Sequence, residues 1–384
     1  MNFKPFQRIR FSAAFVFAAA ALLFSVNVVY AQDALHGYVT SPDVSFAWKH
    51  RDEKRSGEFL VSTIHLTSQT WREHPWQHTL LLVQPGTLRH PDIAFLLIAG
   101  SEPPESYLQT LKTLAQQAGA IAAVLSDVPN QPLYDGRVED ALIAYTFDQF
   151  LRTGDSTWPL LFPMVKSAVR ACDAISAFSR ERSGSAVNQF VLSGASKRGW
   201  TTWLAAAVDS RVVGIVPMVF DMLNMKAQTE WARKVYGQQS ERIHDYTDAG
   251  LIQRMDEPRA VQLREWIDPY HYRKRFTMPK LLLLGTNDPY WTVDSMRHYW
   301  ADLPEPKHVY QTPNAGHSLG EGAAINALAA FFETIAMGQQ LPRLNWSVET
   351  GATNVTIQLQ AEAPLKNARL WMAESPDRDF RNDH

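Results

Sequence analysis

The feature that most constrains this chain is a rhythm. Short, unbroken apolar runs alternate with stretches whose apolar residues recur every three or four positions. The runs are "DIAFLLIAG" (92–100), "AIAAVLSDVP" (120–129), "NQFVLSG" (188–194), "VVGIVPMVF" (212–220) and "KLLLLGTND" (280–288), and the more polar "KHVYQTPNAGH" (307–317) reads as a last strand. A strand with no polar side has both faces buried, as in a parallel sheet covered by helices. Between the runs lie helical patterns such as "SYLQTLKTLAQQAG", "VEDALIAYTFDQFLRTG", "PMVKSAVRACDAISAFSRE", "WTTWLAAAVD" and "EGAAINALAAFFETIA". The alternation predicts an α/β fold with a mostly parallel central sheet and helices on both faces. Earlier, "GEFLVSTIHLTSQTW" and "HTLLLVQP" alternate in part, which predicts an antiparallel pair at the start of the sheet.

Three segments fall outside that rhythm. Residues 222–275 separate two of the runs and carry helical character, many aromatics and many charges. They are too long for a plain crossover and read as an inserted helical cap, or as a surface excursion with no substrate role. In the tail, 346–384, "TNVTIQLQAEAP" and "NARLWMAES" predict two strands joined by a turn. Two strands alone are barely stable, so this short β segment must pack on the main domain, 32–345, or belong to a larger β unit. At the other end, Lys4, Arg8 and Arg10 precede the apolar run "FSAAFVFAAAALLFSVNVV" and the small-residue site ending at Ala31. Residues 1–31 read as a signal peptide, which predicts a periplasmic or secreted protein with no stable membrane insertion after cleavage. The alternative is an uncleaved anchor, since the run is long for a signal.

Composition narrows the function classes. With 384 residues, 46% of them apolar, the chain can bury a large core. Its formal charge of −2 and lack of a long basic block argue against a nucleic-acid partner. Cys172 is the only cysteine, so no intrachain disulfide can form. It sits in a helical pattern and is expected to be a buried structural thiol. No HExxH pattern or Cys/His cluster calls for a metal or other cofactor.

The chemistry should collect at the carboxyl ends of the parallel strands. "FVLSGASKRGW" places Ser196 where an apolar run turns into a helix, with Gly194, Ala195 and Gly199 around it. A serine on such a turn is strained and needs small neighbours, and the helix N-terminus behind it favours negative charge. The spacing is Gly-x-Ser-x-x-Gly rather than the commoner Gly-x-Ser-x-Gly, so Ser196 also suits an ordinary tight connection. Asp288 follows the run ending at Gly285, where an acid can orient a histidine. Asn-Asp-Pro is equally good turn chemistry. His317 follows the last run in a glycine-containing loop. Together Ser196, Asp288 and His317 stand in the α/β-hydrolase order of nucleophile, acid and base. Asp221, one run earlier, is the rival acid. Oxyanion donors are expected at the backbone N–H of Lys197 and in the loop at Gly100 and Ser101. The Lys197 and Arg198 side chains either add positive charge there, bind an acidic substrate group, or lie on the helix surface.

"EDALIAYTFDQFLRTGD", "PMVKSAV", "LSGASKRGWTTWL", "DPYHYRKRFTMPKLLLLGTNDPYW", "TPNAGHSL" and "ESPDRDFR" resemble the PhoPQ-activated pathogenicity-related proteins. The resemblance runs from Trp48 to Arg381. It implies an exported bacterial protein of the α/β-hydrolase type in which Ser196, Asp288 and His317 match the presumed triad, linked by its family name to virulence. Family members continue past the point where this chain stops, so the C-terminal β unit is expected to be incomplete here. The elbow also resembles that of glucuronoyl esterases, where a positive residue after the nucleophile assists at the oxyanion; Lys197 holds that position. These readings predict a serine hydrolase, esterase rather than peptidase, acting on a small-molecule, glycan or peptide substrate. The competing expectation is a protein with an idle triad that binds an envelope peptide or glycan.

Overall fold

The computed structural model describes residues 34–320, 322–365, 367–377 and 379–381. The expected signal peptide, 1–31, lies outside the described residues. In chain order the elements are α1 (Ala34–Thr40), β1 (Ala47–Ser56), β2 (Phe59–Trp71), β3 (His74–Gln84), β4 (Ile93–Ile98), α2 (Leu108–Ala118) and β5 (Ile121–Leu125). Next come α3 (Glu139–Thr153), α4 (Leu161–Ser183), β6 (Gln189–Ala195), α5 (Lys197–Val208) and β7 (Val212–Met218). The chain then forms α6 (Met225–Tyr236), α7 (His244–Asp248), α8 (Pro258–Ile267), β8 (Lys280–Gly285), β9 (Lys307–Thr312) and α9 (Ala323–Ala336). A hairpin of β10 (Leu344–Thr350) and β11 (Val355–Ala361) follows.

The main sheet has nine strands in the order β1-β2-β3-β5-β4-β6-β7-β8-β9. β1, β2, β3 and β5 pair antiparallel in turn, as the alternating residues of β2 and β3 predict. From β5 onward every neighbour is parallel. Each apolar run splits its side chains between two cores, as a two-residue period requires. Ala94, Leu96 and Ile98 of β4 join the core that includes α3, α4 and α5. Ile93, Phe95 and Leu97 join the opposite core with α2 and α9. Helices on both faces therefore bury both sides of the same strand. α3 stops where the sequence predicts: Gly154 takes φ 75°, a left-handed conformation that caps the helix by donating to the Phe150 carbonyl.

Three sequence expectations need correction or extension. β1 is a strand that its sequence hides: "AWKHRDEKRS" is mostly charged and exposed because it forms the outer edge of the sheet, where charge discourages further pairing. "NARLWMAES" forms no strand; β11 instead pairs with the upstream β10, Trp346 opposite Leu359 and Val348 opposite Ile357. The hairpin thus starts two residues before the expected boundary, and its β10 residues are all exposed. Cys172 is buried, and that burial pushes its thiol well above the ordinary range, as expected of an inert structural cysteine. No helix among the described residues is long and apolar enough to cross a membrane.

Candidate active site

Ser196 sits between β6 and α5 at φ 56°, ψ −124°. That is a strained conformation for a residue with a side chain, held by the elements on either side. Its amide donates to the Met218 carbonyl of β7 at 2.9 Å. The flanking glycines show why the turn needs small residues. A Cβ on Gly194 would stand 2.6 Å from the Arg198 carbonyl oxygen, and one on Gly199 2.9 Å from that of Met218. The second contact shows why position 199 takes a glycine: a side chain there would also stand 3.0 Å from the Gly194 carbonyl oxygen.

Asp288 and His317 come together. Asp288 is 4% exposed, and its Oδ2 lies 2.8 Å from His317 Nδ1. Its other oxygen accepts from the Tyr290 amide at 3.0 Å, which fixes the carboxylate plane. The two loops are clamped where β8 ends. The Asn287 amide donates to the Ala315 carbonyl at 2.9 Å, and a Cβ on Gly285 would lie 2.3 Å from that same oxygen. The Tyr290 ring stacks on the His317 ring with centroids 4.2 Å apart. His317 Nε2 is shielded from solvent and makes no hydrogen bond among the described residues.

Asp221 takes a different partner. It is buried and accepts a short hydrogen bond from the Tyr299 hydroxyl. Burial raises its carboxyl to about 7, the Tyr299 hydrogen bond opposes this, and the charges of Asp288 and Asp294 add to it. Of the two acids considered in the sequence, Asp288 is the one that meets His317.

Lys197 does not lie on the helix surface. It is 8% exposed, and its Nζ stands 2.7 Å from Glu139 and 3.3 Å from Asp140. Arg198 holds Glu139 with two nitrogens, at 2.7 and 2.6 Å, and donates from Nε to the Val128 carbonyl. Burial alone would raise the Glu139 carboxyl, but the hydrogen bonds and charges of Arg198 and Lys197 win and hold it at about 2. Gln131 extends this cluster: it bonds the Glu139 amide and carboxylate, and its Nε2 reaches Ser101 Oγ at 3.4 Å. Gly100 lies under Arg198, where a Cβ would be 2.7 Å from Nη2. The loop expected to carry oxyanion donors is therefore tied to the residues that follow Ser196. Glu139 and Asp140 were not among the residues the sequence pointed to. The one signal they carry is charge complementarity to Lys197 and Arg198.

Beside Ser196 and Lys197 lies a cavity of about 190 Å³. The insertion between β7 and β8, from Met222 to Ile267, supplies most of the lining, and Trp200, Phe220 and Trp291 add aromatic surface. Among the described residues no group of three or more His, Cys, Asp or Glu side chains is arranged to hold a metal ion.

The sheet order, the flanking helices and the serine turn define an α/β-hydrolase fold. Solved structures agree. Acetyl xylan esterase 1 from a Thermoanaerobacterium species matches with a TM-score of 0.57 and 14% identity, over 80% of this chain and 92% of that one. An acetyl xylan esterase from Paenibacillus sp. R4 matches with a TM-score of 0.52 and 14% identity, over 80% and 93%. Within this fold class the chain belongs to the PhoPQ-activated pathogenicity-related protein family, whose model matches residues 35–381. It is also similar to autocrine proliferation repressor protein A of Dictyostelium discoideum, 32% identical over 94% of this chain and 78% of that protein.

Proposed function

We propose that this protein is an exported serine esterase that works through an acyl-enzyme on Ser196. The observation that carries the reading is the buried Asp288 carboxylate 2.8 Å from His317 Nδ1, on the loops after β8 and β9, in the same sheet whose β6 ends at the strained Ser196 turn. A carboxylate there holds the imidazole in the tautomer whose Nε2 is free to take a proton, and it stabilises the imidazolium that results. In the first step Ser196 Oγ attacks the ester carbonyl and His317 Nε2 accepts the hydroxyl proton. The carbonyl oxygen gains negative charge, and in this reading the Lys197 amide, the loop at Gly100 and Ser101, and the α5 N-terminus stabilise it. The tetrahedral species collapses, the alcohol departs with the proton from His317, and the acyl group stays on Ser196. Water, deprotonated by His317, then releases the acid. Export rests on the Lys/Arg-led apolar run before Ala31, and the link to virulence on the family description.

A second reading has one observation in its favour. His317 Nε2 makes no hydrogen bond among the described residues, as an idle site used only for binding an envelope peptide or glycan would allow. Steady-state hydrolysis of p-nitrophenyl esters by wild type, Ser196→Ala and His317→Ala separates the two. Turnover lost in both variants supports the esterase, whereas turnover equal in all three, or absent from folded wild type, supports the binder.

A further inference from the structure

We propose that the cavity beside Ser196 is the pocket for an apolar acyl group of aryl or medium-chain size, which makes acetyl a poor substrate. This deepens the esterase reading and rests on it. Size comes first. The cavity holds about 190 Å³. An apolar protein cavity of about 150 Å³ already admits benzene, so an acetyl methyl would leave most of this space unfilled.

The chemistry of the wall comes second. Trp200, Phe220, Met225 and Leu263 present carbon. Most of the polar groups in the lining are already engaged, with the buried Gln228 Oε1 as an acceptor left without a partner among the described residues. Trp200 Nε1 donates to the Ile267 carbonyl, and the Tyr246 hydroxyl donates to Asp140. Lys197 is held by Glu139 and Asp140, and Lys226 pairs with Asp256 at 2.6 Å. A sugar entering here would leave its water behind and, beyond Gln228 Oε1, find most of these partners taken, leaving too few for its several hydroxyls, which disfavours it. An apolar group gains from the same surroundings.

The order of events places the acyl side in the cavity. The alcohol leaves after the first step, while the acyl group stays attached to Ser196 until water arrives. Ser196 and Lys197 line this cavity, and the insertion from Met222 to Ile267 supplies most of its wall. Such a space suits the group that stays.

The test uses the whole mature protein and the p-nitrophenyl esters of acetate, butanoate, hexanoate and octanoate, so that the alcohol is constant. Each methylene newly buried is worth a factor of about four, and kcat/KM is expected to rise at least tenfold from acetate to hexanoate. Met225→Trp, which fills the cavity from the insertion, is expected to lower the hexanoate-to-acetate ratio at least tenfold. A thermal melt of the variant, and its labelling by a small fluorophosphonate, report that it is folded with a reactive serine. Acetate as the best substrate, or a ratio unmoved in a folded Met225→Trp, overturns the pocket while leaving a serine esterase standing. No turnover of any ester, together with no labelling of Ser196, overturns the esterase reading itself.

Discussion

Removing the charge of Glu139 tests how firmly the residues after Ser196 are held. In Glu139→Gln the side chain keeps its shape and loses its charge, leaving Arg198 without its carboxylate and Lys197 with Asp140 alone at 3.3 Å. A carboxyl drawn from 4.5 down to about 2 corresponds to about 3 kcal/mol in favour of the ionised form. The Glu139 side chain keeps 36% of its exposure, so water screens part of this, and about half, ~1.5 kcal/mol, is the expected loss of stability. In a urea titration followed by tryptophan fluorescence at pH 7, that is a fall in midpoint of about 0.5 M for a slope near 3 kcal/mol/M. The sign with pH follows from a depressed carboxyl. Its stabilisation is fully present above 4.5 and is lost as pH falls towards 2, so the gap between wild type and variant should hold from pH 7 to 5 and narrow below 4.5. Equal midpoints at pH 7, or a gap undiminished at pH 3, would refute the reasoning.

Asp288→Asn should lower kcat by about two to four orders of magnitude with little change in melting temperature, because the amide disfavours the tautomer that leaves His317 Nε2 open; stopped-flow acylation rates would show it. Gly285→Ala should destabilise the fold and cut activity together, since the new methyl would meet the Ala315 and Gly316 carbonyl oxygens at 2.3 and 2.4 Å; a thermal melt beside an activity assay checks both. Asp221→Asn should flatten part of the pH dependence of stability. With the native carboxyl raised to about 7, wild type loses stability from this group as pH climbs from about 4 to 7, and the variant, which has no proton to lose there, should not. Denaturation midpoints at pH 5 and 8 would reveal the difference.

How much of this was legible depended on whether a local pattern carried the information. The buried strands β4 to β8 were plain because helices on both faces force continuous apolar runs. The glycines at 194 and 199 marked the close approach that the structure shows. β1 was invisible because an edge strand needs no apolar face, and its charged residues resemble a loop. "NARLWMAES" carries a strand's composition, yet it forms no ladder, because β11 pairs with β10 instead. Sequence order favoured Asp288 over Asp221 as the acid, but both follow strands that end at the same rim, and only the structure shows that Asp288 meets His317 while Asp221 meets Tyr299. The Glu139 cluster was the hardest to see. Glu139 and Arg198 are 59 residues apart, and only the packing of α3 against the serine turn joins them. Lys197 was likewise ambiguous until its burial and its two carboxylate partners were in view.

The central claim is that Ser196 is an activated nucleophile. The most direct measurement incubates purified protein, wild type and Ser196→Ala, with a fluorophosphonate probe and reads intact mass. A serine is phosphonylated rapidly when a neighbouring base takes its proton. The account predicts one adduct on wild type, mapped to Ser196, and none on Ser196→Ala. A folded wild-type protein that acquires no adduct, or a Ser196→Ala variant that labels as well as wild type, would contradict it.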